Sequence, residues 1–585
     1  MDAGSPRTAA RPEGPDERSG PSARTLTLAL VIALGLTTAG RWLFAAYGPL
    51  GLAGDEAHYW TWSQRLDWSY YSKGPLTAWL IAASTGLLGN TELGVRLPAG
   101  LLSVGLFVVL ADLAIRLRTV LHGPMTAVQR ARLRLLVLLG MAAHPMFAVS
   151  GLLMTIDAPF LLAWAAALWG IFRAEVEGWR WGWVVAGLAG GLGFLAKYTI
   201  GLLAGLLAVY WTVTWVLHRR MPASDPGDGA VRRSQGLCGF RAAVTDWRLW
   251  LGGALALACT LPVLVWNAGQ EWVSFRHVGG QVSDERGWSL VGGLEPLVYQ
   301  MVNPPLAVLL AGALVLLLRW SQQPGVSVAA RRASVWMLAS TLGTLLFFCV
   351  AGLQTKVQPN WPAPLWLSGV VLVFAVLPLV RSPGAGLAVE PDRVPRWVRW
   401  SAGRLLVPSI VLGLVMGVLG HVSTLFYRLG LDPQVDPARV LLGYDQLGSV
   451  VGEMRREFPE VQTVLSDDYD LASRVWFYTP DQPAVRLLRL DNRRSNQFDL
   501  WQDGQDPLPD GSDALLVVRA PAWLDAGPLS LRRLFTQIEP GSVRVVSLRV
   551  HGVAVSRVPY YVAIARGFRA SDYRELQARL HAQRF

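Results

Sequence analysis

Cysteine is nearly absent: Cys238, Cys259 and Cys349 are the only three in 585 residues. Two lie in apolar runs and one in an arginine-rich stretch, so neither a disulfide framework nor a metal ribbon is expected. Charge is scarce as well, at 16% of residues, and acids are the rarer sign, 41 against 53 basic residues. A chain this long with so little charge suits a bilayer interior, not water. Also missing are a GxSxG elbow, a P-loop or dinucleotide fingerprint in a suitable context, and HExxH spacing around His58. Their absence removes the usual signatures of serine hydrolases, nucleotide-driven enzymes and zinc peptidases. The glycine cluster GLAGGLG at 187–193 lies inside an apolar run, where helix packing explains it better than phosphate binding. Energy for any chemistry would then arrive with a pre-activated substrate.

What is plentiful is apolar. Hydrophobic residues make up 52% of the chain, and eleven runs are long enough to span as helices. They are roughly 25–47, 94–115, 133–153, 157–174, 181–196, 199–217, 249–267, 295–318, 333–352, 362–380 and 402–426. The piece from Leu76 to Leu88 is too short to span and reads as an interfacial helix. The net charge of +12 invites a nucleic-acid partner, but the arginines sit in short loops on one side: 116–134, 219–248, 319–332 and 381–399. The opposite loops hold only Arg65, Lys73, Arg96, Lys197, Arg276, Arg286 and Lys356. This asymmetry predicts a multi-pass membrane protein with its N-terminus inside and its C-terminal part outside. Residues 1–24, rich in Pro, Gly, Ser and Arg, read as a disordered cytoplasmic tail. The run after them has no small-residue cleavage site and reads as a retained first helix.

The densest polar and aromatic stretch follows that helix: GDEAHYWTWSQRLDWSYYSKGP, Gly54 to Pro75, within a first outer loop at 48–93. It opens on adjacent acids, Asp55 and Glu56, and closes on Lys73, with Tyr59, Tyr70, Tyr71 and three tryptophans between. A carboxylate at a membrane surface takes a proton from an acceptor hydroxyl or holds a divalent cation beside phosphate. Sugar rings stack on Trp and Tyr faces, and an ammonium pairs with phosphate. The plain alternative is a solvated acid pair. Asp157, in MTIDAPF, is either a second active-site carboxylate or a helix N-cap ahead of Pro159. Lys197 in FLAKYT binds phosphate or snorkels to the interface. Arg276 and His277 hold an anionic lipid head or face solvent, and Lys356 and Asn360 in TKVQPNWPAP belong to the site or to a rigid turn. All lie on the outer face, so chemistry is expected there. A labile divalent cation at Asp55 is the one cofactor left open.

From about residue 429 charge returns throughout. Apolar strand patterns at 514–518 and 543–550, a helical pattern at 447–458 and a strand-then-helix reading of LSDDYDLASRVWFY (465–478) predict a soluble α/β domain over 429–585. The acids after that strand mark either a binding crest or surface charge, the second ranked first.

The order of these features resembles the GT-C superfamily of membrane glycosyltransferases. Within it the chain looks like the family 39/83 group, which holds protein O-mannosyltransferases and bacterial aminoarabinose transferases of lipid A. The likeness rests on Asp55-Glu56 in DEAHYW, on Tyr70, Tyr71, Lys73 and Pro75 in YYSKGP, and on Asp157 before Ala-Pro in MTIDAP. It covers roughly residues 25–430, the catalytic body being 25–428. Gly74-Pro75 departs from the paired prolines of many relatives. The implied fold is a GT-C-like polytopic helical body of about 11 transmembrane helices carrying the C-terminal α/β domain. The implied activity is transfer of a monosaccharide from a polyprenyl-phosphate donor to a lipid, glycan or protein acceptor. It would occur at the outer face of a bacterial inner membrane, with inversion. By the resemblance Asp55 is the base, Glu56 and Asp157 orient it or share a cation, and Lys73 takes the phosphate. Lys197, Arg276 and Lys356 are further cations, and Tyr59 and Tyr71 position sugar or phosphate. The alternative is a membrane transporter or lipid flippase. It would place ionisable residues at the bilayer midplane and show repeated halves, and neither is visible.

Overall fold

The computed structural model describes residues 21–220, 239–282, 287–323, 326–377, 395–430, 432–489, 496–502, 505–519 and 531–582. Most of the predicted tail, Cys238, Arg286 and the basic stretches at 232–233 and 381–393 lie outside the described residues.

After α1 (Ala23–Tyr47) come two short helices, α2 (Gly54–Ser63) and α3 (Leu76–Leu88), and then the long α4 (Glu92–His122). The body continues through α5 (Ala127–Ala142), α6 (Pro145–Ser150), α7 (Asp157–Glu175), α8 (Gly182–Ala196), α9 (Leu202–Arg220) and α10 (Trp247–Gly269). It closes with α11 (Val273–Val282), α12 (Leu290–Tyr299), α13 (Pro304–Ser321), α14 (Val328–Leu338), α15 (Thr344–Gly352), α16 (Leu365–Val376), α17 (Arg396–Arg404) and α18 (Leu406–Tyr427).

Among the described residues six helices are long and apolar enough to cross a membrane, or seven if a pair bent by 47° is one span. The sequence predicts eleven, and the physical reasons for the difference are local. The run 133–153 breaks at His144, whose ring caps α6 over Pro145, and 295–318 breaks at Asn303, which caps α13 over Pro304 and Pro305. The run 402–426 falls in the bent pair α17–α18. Helices α8 and α16 have 15 and 12 residues, and α16 is buried along its whole length. Protein, not lipid, shields it. Close packing also explains the glycine cluster: a Cβ on Gly187 of α8 would fall 2.0 Å from the Gly252 carbonyl oxygen of α10.

The C-terminal domain runs α19 (Tyr444–Glu457), β1 (Val464–Ser466), α20 (Tyr469–Tyr478), β2 (Val485–Leu487), α21 (Gln497–Gln502), β3 (Ala514–Val518), β4 (Phe535–Ile538), β5 (Arg544–Val546), β6 (Arg549–Val550), β7 (Val553–Ala554), β8 (Tyr560–Phe568) and α22 (Ala570–Ala582). Its main sheet has the order β2-β1-β3-β8-β4, with β5 also on β8. β1 is parallel to β2 and β3, with Val464 opposite Val485 and Leu515, and the pairs onto β8 are antiparallel. The single strand predicted at 543–550 is two. β5 ends at Val546, and β6 turns into β7 through His551 and Gly552, both at positive φ, as a tight hairpin requires.

The alternation of strand side chains divides the sheet's two faces between two cores. Leu465, Leu516, Phe535 and Phe568 join Tyr573 of α22 on one face. Val464, Leu515, Val517 and Ile564 face the other way, onto Leu471, Val475 and Phe477 of α20. That second core also contains Trp60, Trp62 and Tyr70 from the first loop. The composition break near 429 therefore runs through one shared core, with α2 as much a part of it as α20.

Candidate active site

α2 begins where Glu56 anchors it. The Glu56 carboxylate accepts from the Ala53 N–H at 3.0 Å and the Met154 N–H at 2.8 Å. It also takes a two-point bond from Arg96, Nε to Oε1 at 3.0 Å and Nη2 to Oε2 at 2.8 Å. Arg96 spends its other N–H groups on the Leu50 and Gly51 carbonyls. Both side chains are at most 1% exposed. Glu56 was expected beside Asp55 in the chemistry; its oxygens are instead committed to tying together the start of α2, α4 and the chain before α7. One residue earlier the situation reverses. Asp55 is exposed, and its carboxylate makes no hydrogen bond or ion pair among the described residues.

The rest of the helix is held by aromatic packing against α20. Trp60 meets Trp476 and Phe477 edge-on at 5.8 and 5.0 Å. His58 donates through Nδ1 toward Ser473 Oγ at 3.3 Å and accepts at Nε2 from the Trp62 indole at 3.2 Å. Burial pushes its pKa down to about 3, so it is neutral and both nitrogens are used. Gly54 lies under the Asp470 carboxylate: a Cβ there would come within 1.7 Å of Asp470 Oδ1. Asp470 is pinned by Arg519 at 2.8 Å and Arg474 at 3.2 Å, so it has little room to retreat. Gly54→Ala is expected to destabilise the docked C-terminal domain by about 1–3 kcal/mol, as overpacking does, read as a lowered Tm of the purified protein in lipid nanodiscs.

Asp55 keeps accessible surface although protein crowds one side of it. Desolvation first, then the neighbouring Asp470, hold its carboxyl above the usual range; Lys73 opposes them and Asp157 adds to the rise. Lys73 approaches because Gly74 rests on the end of α8, where a Cβ would be 2.3 Å from the Leu195 carbonyl oxygen. The departure from paired prolines thus seats the loop on the backbone two residues before Lys197. Burial and then Lys197 pull the Lys73 pKa down to about 8, against Asp55 and Asp157. No carboxylate among the described residues is within salt-bridge distance of it.

The other loops arrive at the same place. Lys197 Nζ is 2.8 Å from Asp157 Oδ1, and Asn360 Nδ2 donates to Asp157 Oδ2 at 2.7 Å. Asp157, Lys197 and Asn360, from three separate turns, are one cluster. Tyr59 packs edge-on to Trp62, and burial followed by Asp55 and Asp157 raises its pKa well above the phenol range. Tyr71 stacks near His277, ring centroids 4.9 Å apart, and its N–H donates to Gln497 Oε1 at 2.7 Å. Burial and Lys73 lower the His277 pKa.

Two expected cations make no contact with this cluster among the described residues. Arg276 is 64% exposed and bonds Glu271 on its own turn, and Lys356 is exposed with no ion pair among the described residues. A divalent cation at Asp55 does not suit the donor set. No group of three or more His, Cys, Asp or Glu converges among the described residues. Asp157 already serves an ammonium and an amide, Asp470 is held by Arg519 and Arg474, and Lys73 is among the charges acting on Asp55. The residues that the sequence reading missed come from the C-terminal domain: Tyr469, whose ring is 4.9 Å from His58, and Asp470 with its two arginines. The signal was present as the acids after a predicted strand.

A helical membrane body with an α/β domain docked on its first loop is the GT-C fold. Crystal structures of ArnT from Cupriavidus metallidurans share it. The apo form matches with a TM-score of 0.56 at 17% identity, covering 93% of this chain and 98% of that one. The form bound to undecaprenyl phosphate matches with a TM-score of 0.56 at 18% identity, covering 92% and 98%. The family model described as dolichyl-phosphate-mannose-protein mannosyltransferase matches residues 72–224. The lipid A galacturonosyltransferase RgtD of Rhizobium johnstonii is 26% identical over 456 residues, 74% of this chain and 78% of the relative. Fold, family model and relative agree on a multi-pass bacterial membrane glycosyltransferase of the GT-C superfamily, in preference to a transporter.

Proposed function

We propose that the protein transfers a monosaccharide from a polyprenyl-phosphate donor to a hydroxyl of a glycolipid of the lipid A kind. The site would face the outer side of the cytoplasmic membrane, with the N-terminus inside and the C-terminal domain outside. The observation that carries the reading is an unengaged carboxylate, Asp55, beside the neighbouring Lys73 and Lys197 cations.

Asp55 accepts the proton of the acceptor hydroxyl as that oxygen bonds to the anomeric carbon. The bond from that carbon to the phosphate oxygen breaks and its electron pair leaves with polyprenyl phosphate. The donor phosphodiester carries one negative charge and the departing monoester carries up to two. A cationic side therefore favours the transition state over the bound donor, which is the condition for catalysis. Lys73 meets that charge, Lys197 adds its field from the Asp157 cluster, and Tyr59 and Tyr71 flank the sugar. Attack from the side opposite the phosphate inverts the anomeric centre.

The direct test is mass spectrometry of products from the purified protein in lipid, supplied with undecaprenyl-phosphate sugars and lipid A. Free undecaprenyl phosphate with a sugar-sized gain on lipid A is expected; intact donors from folded protein would overturn the reading. A pH profile adds a second expectation. Lys73 acts as a cation, so kcat/KM should fall as pH rises through about 8. Lys73→Arg stays charged far above that pH and should move the alkaline limb upward. An unmoved limb would remove Lys73 from the phosphate's side.

A further inference from the structure

The turn between β1 and α20 holds chemistry that the transfer step does not use. Strands β2, β1 and β3 run parallel, so their carboxyl ends share one edge, the usual place for ligands in such sheets. Residues 467–470 follow β1 and Arg519 follows β3 at that edge, and α20 packs it against α2. The edge therefore lies beside Asp55, with Asp470 over Gly54.

Several groups on this edge have chemistry to spare. Tyr469 is 37% exposed, rests its ring on His58 at 4.9 Å, and makes no hydrogen bond through its hydroxyl among the described residues. Asp55 is the charge that acts on it most strongly. Asp467 Oδ1 is buried without a hydrogen bond among the described residues, and so is Ser466 Oγ, in a residue only 1% exposed. Ser466 shares with Val464 the strand face turned toward α20 and α2. Leaving such atoms unpaired is costly unless something else fills them.

Charge decides what that something is. Arg519 is taken by Asp470 at 2.8 Å and Asp468 at 3.5 Å, and Arg474 by Asp470 at 3.2 Å and the Val440 carbonyl at 2.9 Å. Three carboxylates thus face two occupied guanidiniums. This edge repels a phosphate and offers acceptors to hydroxyl groups, with an aromatic face beside them, the combination that suits a sugar ring. The cationic side, Lys73 and Lys197, lies on the loops of the membrane body.

We infer that the β1–α20 turn is the acceptor-sugar subsite, in which the Tyr469 hydroxyl and the Asp467 carboxylate bind ring hydroxyls and present the attacking one to Asp55. This rests on the transferase reading and deepens it: the C-terminal domain selects a neutral, hydroxyl-rich ring, and the membrane body holds the lipid phosphate. Saturation-transfer NMR on the full chain in nanodiscs tests it. The probes are the N-acetylated, phosphate-free glucosamine disaccharide that corresponds to the lipid A backbone and, separately, undecaprenyl phosphate. Tyr469→Phe and Asp467→Asn should each weaken the disaccharide by about 2- to 10-fold, the loss of one hydrogen bond, and the double variant should weaken it further. Undecaprenyl phosphate affinity and Tm should stay at wild-type values. Disaccharide binding unchanged in the double variant, absent in the wild type, or lost together with undecaprenyl phosphate would overturn the inference. A wild type that binds the disaccharide yet moves no sugar would overturn the transferase reading and leave the subsite in place.

Discussion

Asp55→Asn is expected to reduce sugar transfer by roughly 100- to 10,000-fold, the range for loss of a positioned general base, with fold and undecaprenyl phosphate binding intact. The second half follows from the environment of the side chain. The Asp55 carboxylate has no hydrogen bond or ion pair among the described residues, so an amide of the same shape leaves no partner stranded. The base must be ionised, and its pKa lies above the ordinary carboxylate value, so wild-type activity should fall on the acid side at a higher pH than a free aspartate would give. Asp470 is the largest charge contributing to that rise. Asp470→Asn should therefore shift the acidic limb downward. Full activity in Asp55→Asn would end the assignment.

Glu56, one residue away, should behave in the opposite manner. Glu56→Ala or Arg96→Ala is expected to cost about 3–5 kcal/mol of stability, because each strands a buried charge. In Glu56→Ala the guanidinium keeps only the Leu50 and Gly51 carbonyls. In Arg96→Ala the carboxylate keeps only the Ala53 and Met154 N–H groups. Pairing the two substitutions should cost less than the sum of the singles, since neither charge is left behind. Thermal unfolding in nanodiscs checks this. A Glu56→Ala protein that melts like wild type but transfers no sugar would return Glu56 to the chemistry.

These two acids show where sequence reasoning stops. Asp55 and Glu56 are adjacent and chemically alike, and what separates them is Arg96, 40 residues on, which local patterning reads only as an outer-loop cation. The gathering of Lys73, Asp157, Lys197 and Asn360 was more legible. Arginine asymmetry places all four on one side of the membrane, and a short list of polar groups on one face has few places to meet. The docking of α20 on α2 left no such trace. An interface between residues 60 and 476 has no period in either segment, so the acids of DDYD look like surface charge until the sheet edge is seen facing Asp55. Apolar runs outnumber the helices long and apolar enough to cross among the described residues for a related reason. Hydropathy marks what avoids water, and α16 avoids it inside protein.

The bond from the Leu52 N–H to the Tyr478 hydroxyl, 2.6 Å long, joins residues 426 apart, as does the bond from the Tyr71 N–H to Gln497. Long-range contacts form late, once the intervening chain has been made and ordered. Asp55 therefore emerges from synthesis among the first residues past the first helix and waits for nearly the entire chain before its surroundings are complete. A truncated protein would display Asp55 without the α20 contacts that hold α2 in place, and is expected to be inert in sugar transfer.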